Sequence, residues 1–320
     1  MKQPSFFLVG APKCGTTALC KYLNQHPEIF ISQPKELYYF DADFKTKKYA
    51  NSLDEYLAKF AAGDGKICGE GSTTYLYSKV AAKNIYRFNP EAKIIVMLRN
   101  PLTVMHSFHS QLLFNGSSET VQDFAIAIEL EAERKLGHHI PKRCQTPELL
   151  LYREVVRFAE QIERYFTVFG KEQVKIVIFD DFQAETATVY REILEFVGAD
   201  STFETSFVRI NANKKARSSV LQSLLKYPPA KLLQLGKYLL PVPQSWRRRA
   251  LEQAKARLTQ LNTQTVSRSP IDRQLRQRLV KDLQLDIQKL ECLLGRDLSA
   301  WYSEEGATTS DLESDIHHGA

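Results

Sequence analysis

A chain of 320 residues with 43% hydrophobic and 25% charged residues has a globular composition, which excludes fibrous and largely disordered classes. The five cysteines (Cys14, Cys20, Cys68, Cys144, Cys292) are odd in number and form no C-x-x-C pair. This argues against a metal site and fits a reducing compartment. No apolar run reaches membrane-span length, and a strand pattern follows Pro4 at once instead of a signal sequence, so a cytoplasmic location is expected.

The net charge of +6 is unevenly spread. Residues 201–302 carry 19 Lys and Arg against 7 Asp and Glu, whereas residues 303–320 carry five acids and no Lys or Arg. A basic third of this kind either attracts an anionic acceptor, membrane surface or nucleic acid, or forms a solvated helical face.

In chain order, Phe6–Val9 is an apolar run that predicts a strand, and Gly10-Ala11-Pro12-Lys13-Cys14-Gly15 leads from it into a helical pattern over Thr16–Asn24. Backbone N–H groups converging at a helix N-terminus, where the dipole favours an anion, make a phosphate cradle. The spacing Gly10-x4-Gly15 fits a P-loop, but Thr16 stands where the Walker motif has lysine, and the turn's own lysine is Lys13. A plain strand-to-helix turn with a solvent-facing lysine is the alternative.

Helical patterns at Leu53–Phe60, Val80–Phe88, Leu102–Phe114, Val121–Leu136 and Leu149–Phe169 alternate with strand patterns at Lys66–Gly69, Lys93–Leu98 and Val174–Phe179. Lys93–Leu98 is apolar after its first residue, as a central parallel strand requires. The alternation predicts an α/β, P-loop-like three-layer fold with a central parallel sheet flanked by helices. No clear strand ends in paired acids. From about Asn211 the pattern is helical only, with Pro228-Pro229 and Pro241-Val242-Pro243 as punctuation and amphipathic segments at Ser245–Leu261 and Ile271–Leu294. A helical C-terminal extension is therefore expected within a single domain over residues 1–302, followed by an acidic, disordered tail over 303–320.

Two more features bear on chemistry. Arg99 closes the strand Lys93–Leu98, and Pro101 suits a helix N1 position. A guanidinium there can take a dianionic phosphate bidentately, and Ser107, two turns along, can add a hydroxyl. A helix-capping arginine with an ordinary serine is the structural alternative. Glu36 sits beside Tyr38, Tyr39 and Phe40; in a partly desolvated pocket it could accept a proton from an attacking hydroxyl or amine. Paired with Lys35, it could equally be a surface acid.

Four segments together resemble the sulfotransferases that use 3′-phosphoadenosine 5′-phosphosulfate (PAPS), in their bacterial and heparan-sulfate-type branch. Gly10–Thr17 matches the 5′-phosphosulfate loop, and Leu98–Ser107 matches the 3′-phosphate motif. Pro34–Asp41 looks like the acceptor-site segment, Ile67–Tyr75 like the segment that follows it, and the likeness continues to Leu290–Trp301. The resemblance implies PAPS as co-substrate, no metal, and in-line sulfuryl transfer governed by positioning and charge stabilisation.

It implies that Lys13 stabilises charge on the bridging oxygen, and that Cys14, Gly15, Thr16, Thr17 and Ala18 line the 5′-phosphate. Arg99, Ser107 and Arg217, the last in the basic turn Lys214–Ser219, would bind the 3′-phosphate, and Glu36 would be the base. Two positions depart from the glycan-specific members: Gly71 replaces a catalytic lysine and Tyr38 a histidine. The acceptor therefore stays open among glycan, lipid and small molecule. His106 and His109 lie in the 3′-phosphate helix, away from the acid. A Mg-dependent kinase-like P-loop enzyme and a non-enzymatic basic surface-binding protein are the competing readings. Peripheral membrane contact through the basic third stays open, no nucleic-acid partner is expected, and oligomeric state is not readable.

Overall fold

The computed structural model describes residues 3–46, 48–116, 118–208, 214–218, 221, 224, 244–265 and 270–302. It divides into two compact units, residues 1–105, 153–210 and 272–320 in the first and residues 106–152 and 211–271 in the second. The expected acidic tail and most of the segment between Ser219 and Pro243 lie outside the described residues.

The first unit is built on five strands: β1 (Phe6–Gly10), β2 (Ile29–Ile31), β3 (Ile67–Gly71), β4 (Lys93–Leu98) and β5 (Val174–Ile178). Their order is β2-β3-β1-β4-β5 with every neighbouring pair parallel. The α/β expectation holds, and β1 and β4 are buried along almost their whole length, which accounts for their continuous apolar sequence. Helices in chain order are α1 (Thr16–Leu23), α2 (Leu53–Ala58), α3 (Ala81–Phe88), α4 (Pro101–Asn115), α5 (Phe124–Glu129), α6 (Glu131–Lys135), α7 (Tyr152–Val155), α8 (Phe158–Phe169), α9 (Phe179–Ala184), α10 (Thr186–Val197), α11 (Gln244–Asn262) and α12 (Arg273–Leu294).

Several elements differ from their sequence patterns, among them Val121–Leu136, which is divided into α5 and α6, and α9 and α10, for which no pattern is read. β2 is a three-residue strand, too short to give a periodic signal. The Leu149–Phe169 pattern is broken into a 3-10 turn (Pro147–Leu150), α7 and α8. The Gln161 side-chain amide donates to the carbonyls of Glu154 and Val155 at 3.1 and 3.2 Å and so satisfies groups that the break releases. In the second unit the helical-only expectation is corrected by an antiparallel pair, β6 (Lys214–Ala216) with β7 (Thr263–Thr265). Asn262 ties this pair to Ser218, accepting from its amide at 2.9 Å and donating to its carbonyl at 3.0 Å.

The C-terminal helix α12 begins at Asp272, whose carboxylate accepts from the amides of Gln274 and Leu275, an N-cap. Its buried stripe of Leu275, Leu279, Leu283, Ile287 and Leu290 repeats at helical spacing and packs on α8. At the sheet centre, Gly69 leaves room for Phe6: a Cβ at Gly69 would lie 2.1–2.6 Å from three atoms of that ring. Gly69→Ala should therefore overpack the β1–β3 contact and cost about 1–3 kcal/mol, read as a lowered urea midpoint with an unchanged slope.

Candidate active site

In parallel strands of one sheet the carboxyl ends lie along one edge, and the segments that leave that edge carry the chemistry-bearing side chains of the first unit. β1 delivers the glycine loop. The Ala11 amide donates to the Met97 carbonyl on β4 at 2.7 Å, and the Leu76 amide, beyond β3, donates to the Val9 carbonyl at 2.8 Å. Both flanks of the loop are thus pinned. A Cβ at Gly10 would lie 2.6 Å from the Leu76 Cβ and 3.1 Å from the Thr73 carbonyl oxygen, so glycine is needed there for close approach.

Gly15 adopts φ +86° as the N-cap of α1, a conformation that favours glycine. Its carbonyl accepts from Ala18 and Leu19 at 2.9 and 3.1 Å. The Ala18 amide is therefore engaged, while the amides of Gly15, Thr16 and Thr17 precede the first intrahelical bond, at the positive end of the helix dipole. Thr16 is buried, and Lys13, Thr17 and Ala18 are half-buried at the surface of the loop. Cys14 is fully buried, and burial pushes its thiol up to about 12. It packs as a neutral thiol, with its Sγ 3.5 Å from the Pro12 carbonyl.

β4 delivers Arg99, half-buried, with its guanidinium carbon 4.6 Å from the centroid of the Phe179 ring. Asp180 and Asp181 follow Phe179 in the first turn of α9. This acid pair lies in the helix, separated from the end of β5 at Ile178 by Phe179. Asp181 is engaged by Arg296, whose Nη2 donates to its Oδ1 at 2.8 Å.

Glu36 comes from the segment after β2. Its Oε1 accepts from the Thr73 hydroxyl at 2.8 Å and lies 3.2 Å from the Lys35 ammonium. Its Oε2 accepts from the Tyr38 hydroxyl. Burial, and then the Glu36 charge, push the Tyr38 phenol up, so it stays a donor. A Cβ at Gly71 would lie 3.1 Å from the Lys35 Cε and 2.8 Å from the Cys20 Sγ. The side-chain space at Gly71, where the resembling glycan enzymes carry lysine, is thus filled partly by the Lys35 stem.

The backbone carrying Glu36 is fixed by hydroxyls. Ser72 Oγ accepts from the amides of Leu37 and Tyr38 at 3.1 and 3.2 Å. Tyr75 Oη accepts from Tyr39 and Phe40 at 2.8 and 3.3 Å. Both hydroxyls donate to Oε1 of the buried Glu70, at 2.7 and 2.6 Å, and Tyr56 donates to its Oε2 at 2.5 Å. Thr73, Ser72, Tyr75, Tyr56 and Phe179 were not marked as functional by the sequence, because their roles come from hydrogen bonds and ring contacts between distant segments.

The structure brings Lys13–Ala18, Arg99 and Glu36 to the same sheet edge of the first unit. Ser107 and Arg217 belong to the second unit. There Ser107 is buried on α4, and Arg217 is exposed after β6, its amide donating to the Asn262 carbonyl at 2.7 Å. The helix histidines pack against Phe124: the His106 ring lies 5.0 Å and the His109 ring 5.4 Å from it. His109 is buried, its Nε2 is 2.8 Å from the Val121 carbonyl, and burial lowers its pKa.

The family model for the sulfotransferase domain matches residues 3–222. Bifunctional heparan sulfate N-deacetylase/N-sulfotransferase 3 of Mus musculus is 26% identical over 216 residues, which is 64% of this chain and 23% of that protein. Carbohydrate sulfotransferase 15 of Mus musculus is 26% identical over 246 residues, 61% of this chain and 43% of that protein. The chain thus spans less than half the length of either relative. A solved sulfotransferase from Alicyclobacillus acidocaldarius superposes with a TM-score of 0.68 at 26% identity, covering 95% of this chain and 100% of that one.

Burial raises the Glu70 carboxyl from its ordinary 4.5 to about 7, against the lowering effect of its three hydroxyl donors. Between these values the unfolded chain loses this proton and the folded chain keeps it. Glu70 therefore contributes stability that is present below pH 4.5, falls as pH rises through about 7 and is lost above it. The two pKa values bound the effect at about 3 kcal/mol. Glu70→Gln keeps an acceptor for Ser72 and Tyr75 without the charge. Its urea midpoint should fall less than that of the wild type between pH 5 and pH 8.

Proposed function

Because the chain belongs to the sulfotransferase domain family, whose model spans residues 3–222, we propose that it moves a sulfuryl group from PAPS to a hydroxyl or amine. The observation that carries this reading is the meeting at one sheet edge of a phosphate cradle with its lysine at Lys13, an arginine at Arg99 and a hydrogen-bonded carboxylate at Glu36. The donor supplies an activated sulfuryl group on its 5′-phosphate. Amides of Gly15, Thr16 and Thr17 would hold that phosphate, and the Lys13 ammonium would offset the negative charge that develops on the bridging oxygen as the S–O bond breaks. Arg99 would hold the 3′-phosphate bidentately.

Glu36 accepts the acceptor's proton as the new O–S or N–S bond forms. Thr73 and Lys35 fix Oε1 and leave Oε2 to exchange the Tyr38 hydroxyl for that of the acceptor. No step in this scheme needs a metal ion. The kinase-like alternative is disfavoured by Thr16 at the Walker lysine position and by the engagement of Asp181 with Arg296. Gly71 and Tyr38 leave the acceptor class open among glycan, lipid and small molecule. A cytoplasmic location is part of this proposal; among the described residues no helix is long and apolar enough to cross a membrane. Membrane-surface contact by the basic third remains a secondary proposal that rests on its charge.

A transfer screen with labelled PAPS against glycan, lipid and small-alcohol pools tests the reading. Lys13→Ala and Arg99→Ala should each lower transfer by about 100-fold or more with an unchanged circular dichroism spectrum. Near-full activity in Lys13→Ala, or ATP binding that requires Mg²⁺ and is lost in EDTA, would overturn it. With an acceptor from the screen, Glu36→Gln should lower kcat by about 10²- to 10⁴-fold while the dissociation constant for adenosine 3′,5′-bisphosphate stays within a factor of about two. Equal loss of nucleotide binding would reassign Glu36 to the donor site.

A further inference from the structure

We propose that Phe179 is a positioning residue for donor recognition: its ring fixes the Arg99 guanidinium relative to the glycine loop and so sets the preference for a nucleotide carrying a 3′-phosphate as well as a 5′-phosphate. The proposal rests on the donor reading above. Leu98 on β4 is paired with Ile178 on β5, so Arg99 and Phe179, each the next residue along, leave the sheet side by side. The guanidinium carbon lies 4.6 Å from the ring centroid, within cation–π range. Among the described residues the Arg99 side chain makes no hydrogen bond or ion pair with a protein group, so the ring holds the cation without spending its N–H donors.

The same ring borders the cradle. A Cβ at Gly15 would lie 2.9 Å from both Cδ2 and Cε2 of Phe179. Gly15 is also the N-cap of α1, so a single ring touches the residue that opens the 5′-phosphate cradle and the side chain assigned to the 3′-phosphate. The two phosphates of an adenosine 3′,5′-bisphosphate are joined by one ribose, which limits their separation. A rigid spacer between their two protein partners turns that separation into selectivity. The backbone behind the ring is held in turn by the Asp181–Arg296 pair in the first turn of α9.

Calorimetric titration of the full chain with adenosine 3′,5′-bisphosphate and with adenosine 5′-monophosphate tests this. The wild type should prefer the bisphosphate. Phe179→Leu should lower that preference by between about 2-fold and 30-fold, mostly through weaker bisphosphate binding, and Phe179→Tyr should restore it. If Phe179→Leu does not fold, Phe179→Met, which fills the volume without an aromatic face, gives the same readout. An unchanged preference in the Leu or Met variant, or parallel loss of both nucleotides, would overturn the proposal and leave Phe179 as a packing residue. A wild type that does not distinguish the two nucleotides would instead overturn the donor reading itself.

Discussion

The parallel pairing of β1 between β3 and β4 is the constraint on which the rest depends. It holds Phe7 beside Glu70 on one side and Ile94 on the other. The loop after β1, the hydroxyl-rich segment after β3 and Arg99 after β4 therefore leave the sheet in the same direction. An antiparallel neighbour would send its loop to the opposite end. The two backbone bonds from Ala11 to Met97 and from Leu76 to Val9 carry this register past the last strand residues and into the cradle. Placement of the anion-binding groups thus follows from sheet hydrogen bonding, before any side chain takes part.

A second layer converts this scaffold into chemistry through buried polar groups. Glu70, Ser72, Tyr75 and Tyr56 form a closed set in which each hydroxyl donates to the carboxylate, and two of them accept from the backbone after Glu36. A buried carboxylate is costly unless its lone pairs are satisfied, and here the donors that satisfy it also fix the segment bearing the candidate base. The arrangement leaves the Glu36 side chain 16% exposed, with defined partners on each oxygen. Phe179 plays the corresponding part on the donor side, using ring surface in place of hydrogen bonds.

The sequence disclosed what depends on local pattern. The apolar run Lys93–Leu98 read as a central strand, Gly10–Thr17 read as an anion-binding turn, and the displacement of its lysine to Lys13 separated it from the Walker type. What it hid depends on contacts between distant segments. The three residues of β2 carry no period, and the break before α8 is stabilised by Gln161, whose amide finds its carbonyls only in the folded chain. The Glu70 hydroxyl set joins residues 36–40 to 56 and 70–75, and the Arg99–Phe179 contact exists because of the β4–β5 register. Neither leaves a trace in residue spacing.

The central claim is that the glycine loop and Arg99 form one site for a nucleotide with two separate phosphates. The most direct measurement is a crystal structure with adenosine 3′,5′-bisphosphate bound. The account predicts the 5′-phosphate on the amides of Gly15, Thr16 and Thr17 beside Lys13, with the 3′-phosphate in bidentate contact with Arg99. A nucleotide bound away from the loop, or a 3′-phosphate that does not engage Arg99, would contradict it.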